Sequence, residues 1–383
     1  MEKVYIPVNP DVLRWFIKES QVDILELELR FPHLGDWLSQ KKEPSLSQLE
    51  KLSSFLHVPF GHLLLGEPPK TNQFAADFRT INNILTHTPS KNLADVLNTM
   101  DRNSQWMHEY RLSQGYEPIE FIGRFKGAGD INTLVNEAHK ILGLDFLWFK
   151  SVRDSSAALK LLREKMESLG ILIMFSGIVG GSTKRKLEIN EFRAFALVDQ
   201  YAPIVFINSN DSTSGRLFSI MHEFFHLFIG EDSIITELYE QAQTETICNE
   251  AAAEFFAPHQ YIANEWNASD NAYLQTQRLS NIFHISPLAT ATRLKRLRYI
   301  SSSLVGKIRE ETEEALRRLA AAKENDDGRG NFWNTKLFGI SHPFAEAVIC
   351  EAKSGNIPYI EAYRFLGVRK GSAFDSYAEL VCG

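Results

Sequence analysis

Cysteine is scarce in this chain: Cys248, Cys350 and Cys382 are the only three in 383 residues, and none lies in a CxxC pair. An odd, widely spaced set argues against a disulfide framework and a thiolate metal site, and for a reducing compartment. Basic charge is also short. Forty-one Lys and Arg against 48 Asp and Glu leave a formal charge of −7. No domain-wide positive field is available for nucleic acid or an anionic membrane, so any DNA contact has to be local. No apolar run approaches the roughly 18 residues that a bilayer span needs. The opening MEKVYIPVNP lacks the basic and apolar regions of a signal peptide. The expectation is a cytoplasmic protein with no membrane partner.

What is present describes a soluble globular chain of two or three domains, 44% hydrophobic and 23% charged. The first seventy residues predict short helices: one opened by Pro10 and Asp11 with Val12, Leu13, Phe16 and Ile17 at helical spacing, one from Ile24, one over Pro32 to Gln40, and one N-capped by Ser45 with Glu50 deeper in the helix. A connector follows, with ADFRT at 76 to 80 and a long helix from about Lys91 to Arg111. Beyond it the spacing predicts a helix over Ala157 to Met166 and strands at 170–175, 193–199 and 203–208. Helices over Ser214 to Phe228, over Thr236 to Phe256 and after Pro287 come next, then a solvated amphipathic one over Ser303 to Lys323. NDDGRGN at 325 to 331 reads as a linker before a last helical module. The expected domains are 1–70, 71–125 (a helical connector), 126–300 and 301–383, in a fold that is mainly α with a small β-sheet.

Residues 32 to 70, FPHLGDWLSQKKEPSLSQLEKLSSFLHVPFGHLLLGEPPK, resemble the end of an XRE-type helix-turn-helix domain. The segment such a domain places in the groove, about Phe31 to Gln40, holds Asp36 and no Arg or Lys, where base readout favours Arg, Asn and Gln. Two readings stay open: local DNA binding, or a degenerate module for protein contacts, dimerisation or sensing.

FSIMHEFFHLFIG at 218 to 230 places His222, Glu223 and His226 in an HExxH pattern. Four residues apart on a helix is one turn on one face, so both imidazoles reach one metal, with Glu223 beside them to take a proton from water activated there. A catalytic zinc needs a third protein ligand. ETICNEAAAEFFAP, 245 to 258, offers Glu245, with Asn249 one turn on to orient a ligand from behind; Glu250 and Glu254 are the alternatives.

Residues 191 to 260, from EFRAFALVDQYAPIVFINSN through the HExxH helix to ETICNEAAAEFFAPHQ, resemble the ImmA/IrrE family of metallopeptidases. The resemblance implies a zincin-like domain over 126–300 and a zinc-dependent endopeptidase, with manganese as the other candidate metal. It implies His222, His226 and Glu245 as metal ligands and Glu223 as catalytic base. The implied protein substrate is a repressor or antitoxin whose cleavage starts a stress or mobile-element response. The bulky Phe224 and Phe225 depart from the family and are expected to narrow the space beside the metal. A reading from another class is a non-catalytic transcriptional regulator or antitoxin whose zincin domain senses metal or ligand.

Tyr201, Arg216 and Tyr261 are candidate oxyanion donors by sequence proximity. His108, His139, His259 and His284 lack ligand-spaced partners, so surface or capping roles are expected. GIVGGSTKRK at 177 to 186 lacks phosphate-loop spacing and reads as a hairpin or lid. RLKRLR at 293 to 298 reads as a solvated basic face. SGNIPYIEAYRFLGVRKGS at 354 to 372 reads as a helix, glycine turn and helix, either a second helix-turn-helix or a helical cap on the protease.

Overall fold

The computed structural model describes residues 4–20, 24–56, 58, 60–68, 89–127, 130–232, 242–324 and 337–382. The expected connector motif at 76–80, the polar run at 325–331 and the first residues of the expected Thr236–Phe256 helix lie outside them. Contacts divide the chain into two compact units, Met1–Asn98 and Thr99–Gly383.

In the first unit, α1 (Pro10–Glu19) opens on Asn9, whose side chain accepts the Asp11 N–H at 2.8 Å, and Pro10 sits where no helical N–H is needed. Then come α2 (Ile24–Arg30), α3 (Leu34–Leu38), α4 (Leu46–Leu56) and a 3-10 turn, Phe60–Leu64. Ser45 closes the start of α4 reciprocally with Gln48, not with Glu50: the Gln48 side-chain oxygen accepts both the Ser45 N–H (2.8 Å) and its hydroxyl (2.9 Å). Leu13, Leu27, Leu34, Trp37, Leu49, Leu52 and Leu63 form the core. α3 is only five residues long and buries Leu34 and Trp37, while Asp36 pairs with Lys42 at 2.9 Å.

The second unit is mostly helical around a small mixed sheet. Its elements are α5 (Lys91–Ser113, which begins in the first unit), α6 (Ile131–Leu142), α7 (Ser155–Ser168), β1 (Leu172–Ser176), β2 (Ile178–Val179), β3 (Ser182–Lys186), β4 (Ala194–Leu197) and β5 (Ile204–Asn208). α8 (Thr213–Ile229), α9 (Ala242–Phe256), α10 (His259–Glu265), α11 (Ala272–Phe283), α12 (Pro287–Arg296), α13 (Ser302–Glu324), α14 (His342–Lys353), α15 (Tyr359–Leu366) and α16 (Gly371–Cys382) follow. The sheet order is β1-β5-β4, with β1 parallel to β5 and β4 antiparallel to it; β2 and β3 form a separate hairpin.

Every residue of β4 and β5 is buried, which continuous apolar strands require. One face, with Ile173, Phe175, Ala194, Ala196, Val205 and Ile207, joins the core built with α6, α7, α8 and α9. The opposite face, Leu172, Met174, Phe195, Leu197, Ile204 and Phe206, is buried as well. Ser341 donates its N–H to Met174 Sδ there (3.4 Å). α5 is fastened along the β4–β5 turn by Ser104 Oγ to Ala202 O (2.8 Å), His108 to Asp199 (2.8 Å) and Arg111 to Tyr201 O. Trp106 of α5 packs on Phe344 and Phe365, joining that helix to the C-terminal module. Among the described residues no helix is long and apolar enough to cross a membrane.

Candidate metal centre

The buried strand β5 ends in Asn208, whose side chain donates to Phe192 O (3.2 Å) and accepts the Asn210 N–H (3.1 Å), turning the chain toward α8. Ser212 caps that helix by accepting the Gly215 N–H at 3.1 Å. Nearly every position from Leu217 to Ile229 is buried, His222, Glu223 and His226 among them. At the far end Gly230 is left-handed (φ 78°) and its N–H returns to His226 O at 2.8 Å. A strap from the 119–125 segment satisfies the next two carbonyls: Gly123 N–H reaches Leu227 O (2.9 Å) and Phe125 N–H reaches Phe228 O (3.0 Å). The turn that carries His226 is therefore closed on both sides.

α9 brings Glu245 in its first turn, next to Thr244, whose hydroxyl donates to Glu231 Oε2 at 3.0 Å. His222 Nε2 lies 3.1 Å from His226 Nε2, 3.2 Å from Glu245 Oε2, and His226 Nε2 lies 3.0 Å from Glu245 Oε1. Burial alone raises the Glu245 carboxyl. Hydrogen bonds and charge from His222 and His226 override it and hold the group below the usual carboxylate range. Cys248, one turn along α9, is pushed up by burial and then by the charges of Glu245 and Glu223, so it is a thiol here and not a thiolate ligand.

The donor set fits a divalent cation. A tetrahedral ion bound at about 2.0 to 2.1 Å keeps its ligand atoms about 3.3 to 3.4 Å apart. The three observed separations are only a few tenths of an ångström shorter. His222 Nε2 and His226 Nε2 can both donate to the carboxylate only by setting two N–H groups head to head at 3.1 Å, a conflict that is removed when all the converging atoms turn lone pairs to a cation. Glu223 is 3% exposed and its Oε2 has no hydrogen-bond partner among the described residues, a costly arrangement for an acceptor with nothing to accept.

Among the described residues His222, His226 and Glu245 form the one cluster with metal-ligand geometry. Glu250 and Glu254, the alternative third ligands, are engaged elsewhere, with Arg296 and Arg293. Asn249 is exposed, so the structure does not bring it behind either histidine. Phe224 and Phe225 are fully buried in the aromatic core, Phe224 against Phe228 at 4.6 Å, so their bulk is taken up by packing. Of the three candidate oxyanion donors, Arg216 donates to Thr213 Oγ1 (3.0 Å), Tyr201 meets the His108 ring (4.9 Å), and Tyr261 packs between Phe149 and Phe283.

Two expectations need correction. Arg293 is not on a solvated face: it is 8% exposed, and its guanidinium pairs with Glu254 and donates to Ala257 O at 3.2 Å. His139 neither caps nor faces solvent; it is buried and stacked on Phe255 at 4.6 Å. The signal for the first was available, since Glu250 and Glu254 are four apart and Arg293 and Arg296 three apart, spacings that match across two helices.

Residues 166–295, about a third of the chain, match a metallopeptidase family described as the IrrE N-terminal-like domain. Residues 340–380 match a domain of unknown function (DUF8813). Among curated proteins none matches the chain. The first match runs from the last turn of α7 to Lys295 in α12 and so includes both histidines, Glu223 and Glu245. It supports a metallopeptidase segment of the ImmA/IrrE type.

Proposed function

We propose that the chain is a zinc-dependent endopeptidase, with His222, His226 and Glu245 as the metal ligands and Glu223 as the catalytic base. The observation that carries this reading is the convergence of two imidazole nitrogens and one carboxylate within 3.0 to 3.2 Å, next to the buried Glu223, whose Oε2 has no hydrogen-bond partner among the described residues. A divalent cation at such a site acidifies water and polarises a carbonyl. Glu223 accepts the proton of the attacking water at Oε2 and returns it to the leaving peptide nitrogen. Glu245, held as a carboxylate, supplies the negative charge of the ligand set, and burial of His226 keeps competing water from that side of the pair.

The substrate in this reading is a regulatory protein, a repressor or an antitoxin, in the cytoplasm. It is supported by the resemblance of residues 191–260, by the XRE-like segment 32–70, and by the three free thiols, two of them exposed. The XRE-like segment serves protein contacts better than DNA, because α3 offers Asp36 tied to Lys42 where base readout needs a free Arg or Asn.

Metal content and cleavage test the reading together. Glu223→Gln should keep about one zinc per chain and lose roughly 10²- to 10⁴-fold in peptide hydrolysis, while His222→Ala and Glu245→Ala should lose the metal. The same Glu223→Gln protein, used as a trap in a pull-down, should retain the regulatory substrate. Full hydrolysis by Glu223→Gln, or a metal-loaded wild type that leaves its captured partner intact, would overturn the proposal.

A further inference from the structure

The metal centre is assembled from two successive described helices, α8 and α9, and the two are held differently. α8 has its Ser212 cap and its Gly123 strap. Next to the site α9 buries Cys248, Ala251 and Ala252, small side chains that allow close approach but raise low ridges, while its large buried side chains, Phe255 and Phe256, lie toward the far end against Trp148. Near its first turn, one side-chain tether of α9 is the Thr244–Glu231 hydrogen bond.

The far end of α9 is different. Arg293 on α12 is buried and grips it with two prongs: Nε donates to Ala257 O, a carbonyl at the helix end, and Nη2 pairs with Glu254. Glu254 Oε1 in turn accepts the His259 N–H at 3.0 Å, tying the turn between α9 and α10 into the same knot. Arg296, one turn along α12, pairs with Glu250. Burial lowers the Arg293 guanidinium only to about 10, so it is cationic at neutral pH. Two arginines three apart thus hold two glutamates four apart, and a rotation of α9 breaks both pairs at once.

We propose that Arg293 and Arg296 are positioning residues for the metal centre: through Glu254, Ala257 and Glu250 they fix the register of α9 so that Glu245 meets His222 and His226. The inference rests on the metal-ligand reading of those three residues. A helix transmits rotation along its length, and Glu245 lies nine residues, or about 13 Å, from Glu254. A turn of about 20° carries a carboxylate about 5 to 6 Å from the helix axis through about 2 Å. Metal ligands tolerate about 0.2 Å. Arginine suits the role because its planar fork makes both contacts at once, which a lysine ammonium on one stem does not.

The test is Co(II) binding to the full-length protein, followed by the visible absorption of the bound ion with chelator competition for affinity. Arg293→Met and Glu254→Gln should each weaken Co(II) about ten-fold or more and change the absorption envelope. Arg293→Lys should lie between them and wild type. Val348→Ala, a core deletion on α14 away from the clamp, should cost stability and leave Co(II) binding unchanged. If Arg293→Met and Glu254→Gln bind Co(II) like wild type while Glu245→Ala does not, the clamp is overturned and the metal site stands. Should Glu245→Ala bind like wild type, the metal reading falls and takes the clamp with it. If Arg293→Met does not fold, Arg296→Gln and Glu250→Gln in the more exposed pair decide: a weakened site supports the clamp, and wild-type affinity in both refutes it.

Discussion

His139 shows how one side chain ties this fold to pH. Its ring is stacked on Phe255, and neither nitrogen has a hydrogen-bond partner among the described residues. Burial therefore lowers its pKa below the usual 6.5. Above pH 6.5 the group is neutral both folded and unfolded, and its contribution does not vary. Below that, the unfolded chain binds a proton that the folded one refuses, so stability falls as pH drops from 6.5 toward the lowered folded value, by up to about 1.4 kcal/mol per pH unit. His139→Leu should flatten that part of the profile, so denaturant melts of the two proteins should diverge between pH 7 and 5; parallel curves would show that the ring is not the source. His139 was not legible as a core residue, because one polar residue on an apolar helix face reads equally well as a cap. His222 and His226 were legible because their meaning lies in a four-residue spacing that a helix turns directly into shared geometry. Arg293 was misread for the opposite reason: a run of charge suggests solvent, and the partner that buries it lies 39 residues away in Glu254.

At the level of elements, periodicity located several helices to within a residue or two. The expected Ser214–Phe228 helix is Thr213–Ile229, and Ala157–Met166 lies inside Ser155–Ser168. Local spacing could not show what holds an element in place. α8 is the example, since its last carbonyls are closed by a strap about a hundred residues earlier in the chain, through a backbone contact that leaves no side-chain signature. Gly230 is left-handed, and a Cβ added there would stand 2.6 Å from Gly123 Cα, so backbone and not a flexible side chain would have to yield. Gly230→Ala should cost more than about 2 kcal/mol, from the left-handed backbone and the forced separation of the strap. A loss under about 1 kcal/mol in urea melts would mean that the strap moves aside freely and does not secure the turn that carries His226.

For the whole molecule, the sheet decides which parts of the chain belong together. The alternation in β1 puts Ile173 and Phe175 against the helices of the metal centre and leaves Leu172 and Met174 on the other face, yet both sets are buried. Phe192, from within the peptidase-like segment, meets Phe195 and Phe206 on that second face, but at Met174 the cover is Ser341 from outside it, and Arg163 on α7 shows how that stretch is secured. Its two terminal nitrogens donate to Phe338 O (2.7 Å) and Ile340 O (2.8 Å), while Nε pairs with Glu167, which also accepts the His342 N–H. Burial raises the Glu167 carboxyl and the Arg163 charge opposes that rise, so the pair depends on its partners. A continuous apolar strand predicts burial on both faces but not which distant segment supplies the cover, and residues 338–341 carry no motif. The C-terminal module is thus part of the wall of the peptidase-like fold, through Ser341 on Met174 and Phe338 on Phe175 at 4.5 Å. Ending the chain at residue 324 removes both carbonyl partners of Arg163, each such charged hydrogen bond contributing about 1.5 to 3 kcal/mol, and uncovers the Met174 face. The truncated protein should melt more than about 10 °C below the full chain and lose metal as it does so. An unchanged melting temperature with wild-type metal content would mean that the module is an appendage that the peptidase-like fold does not need.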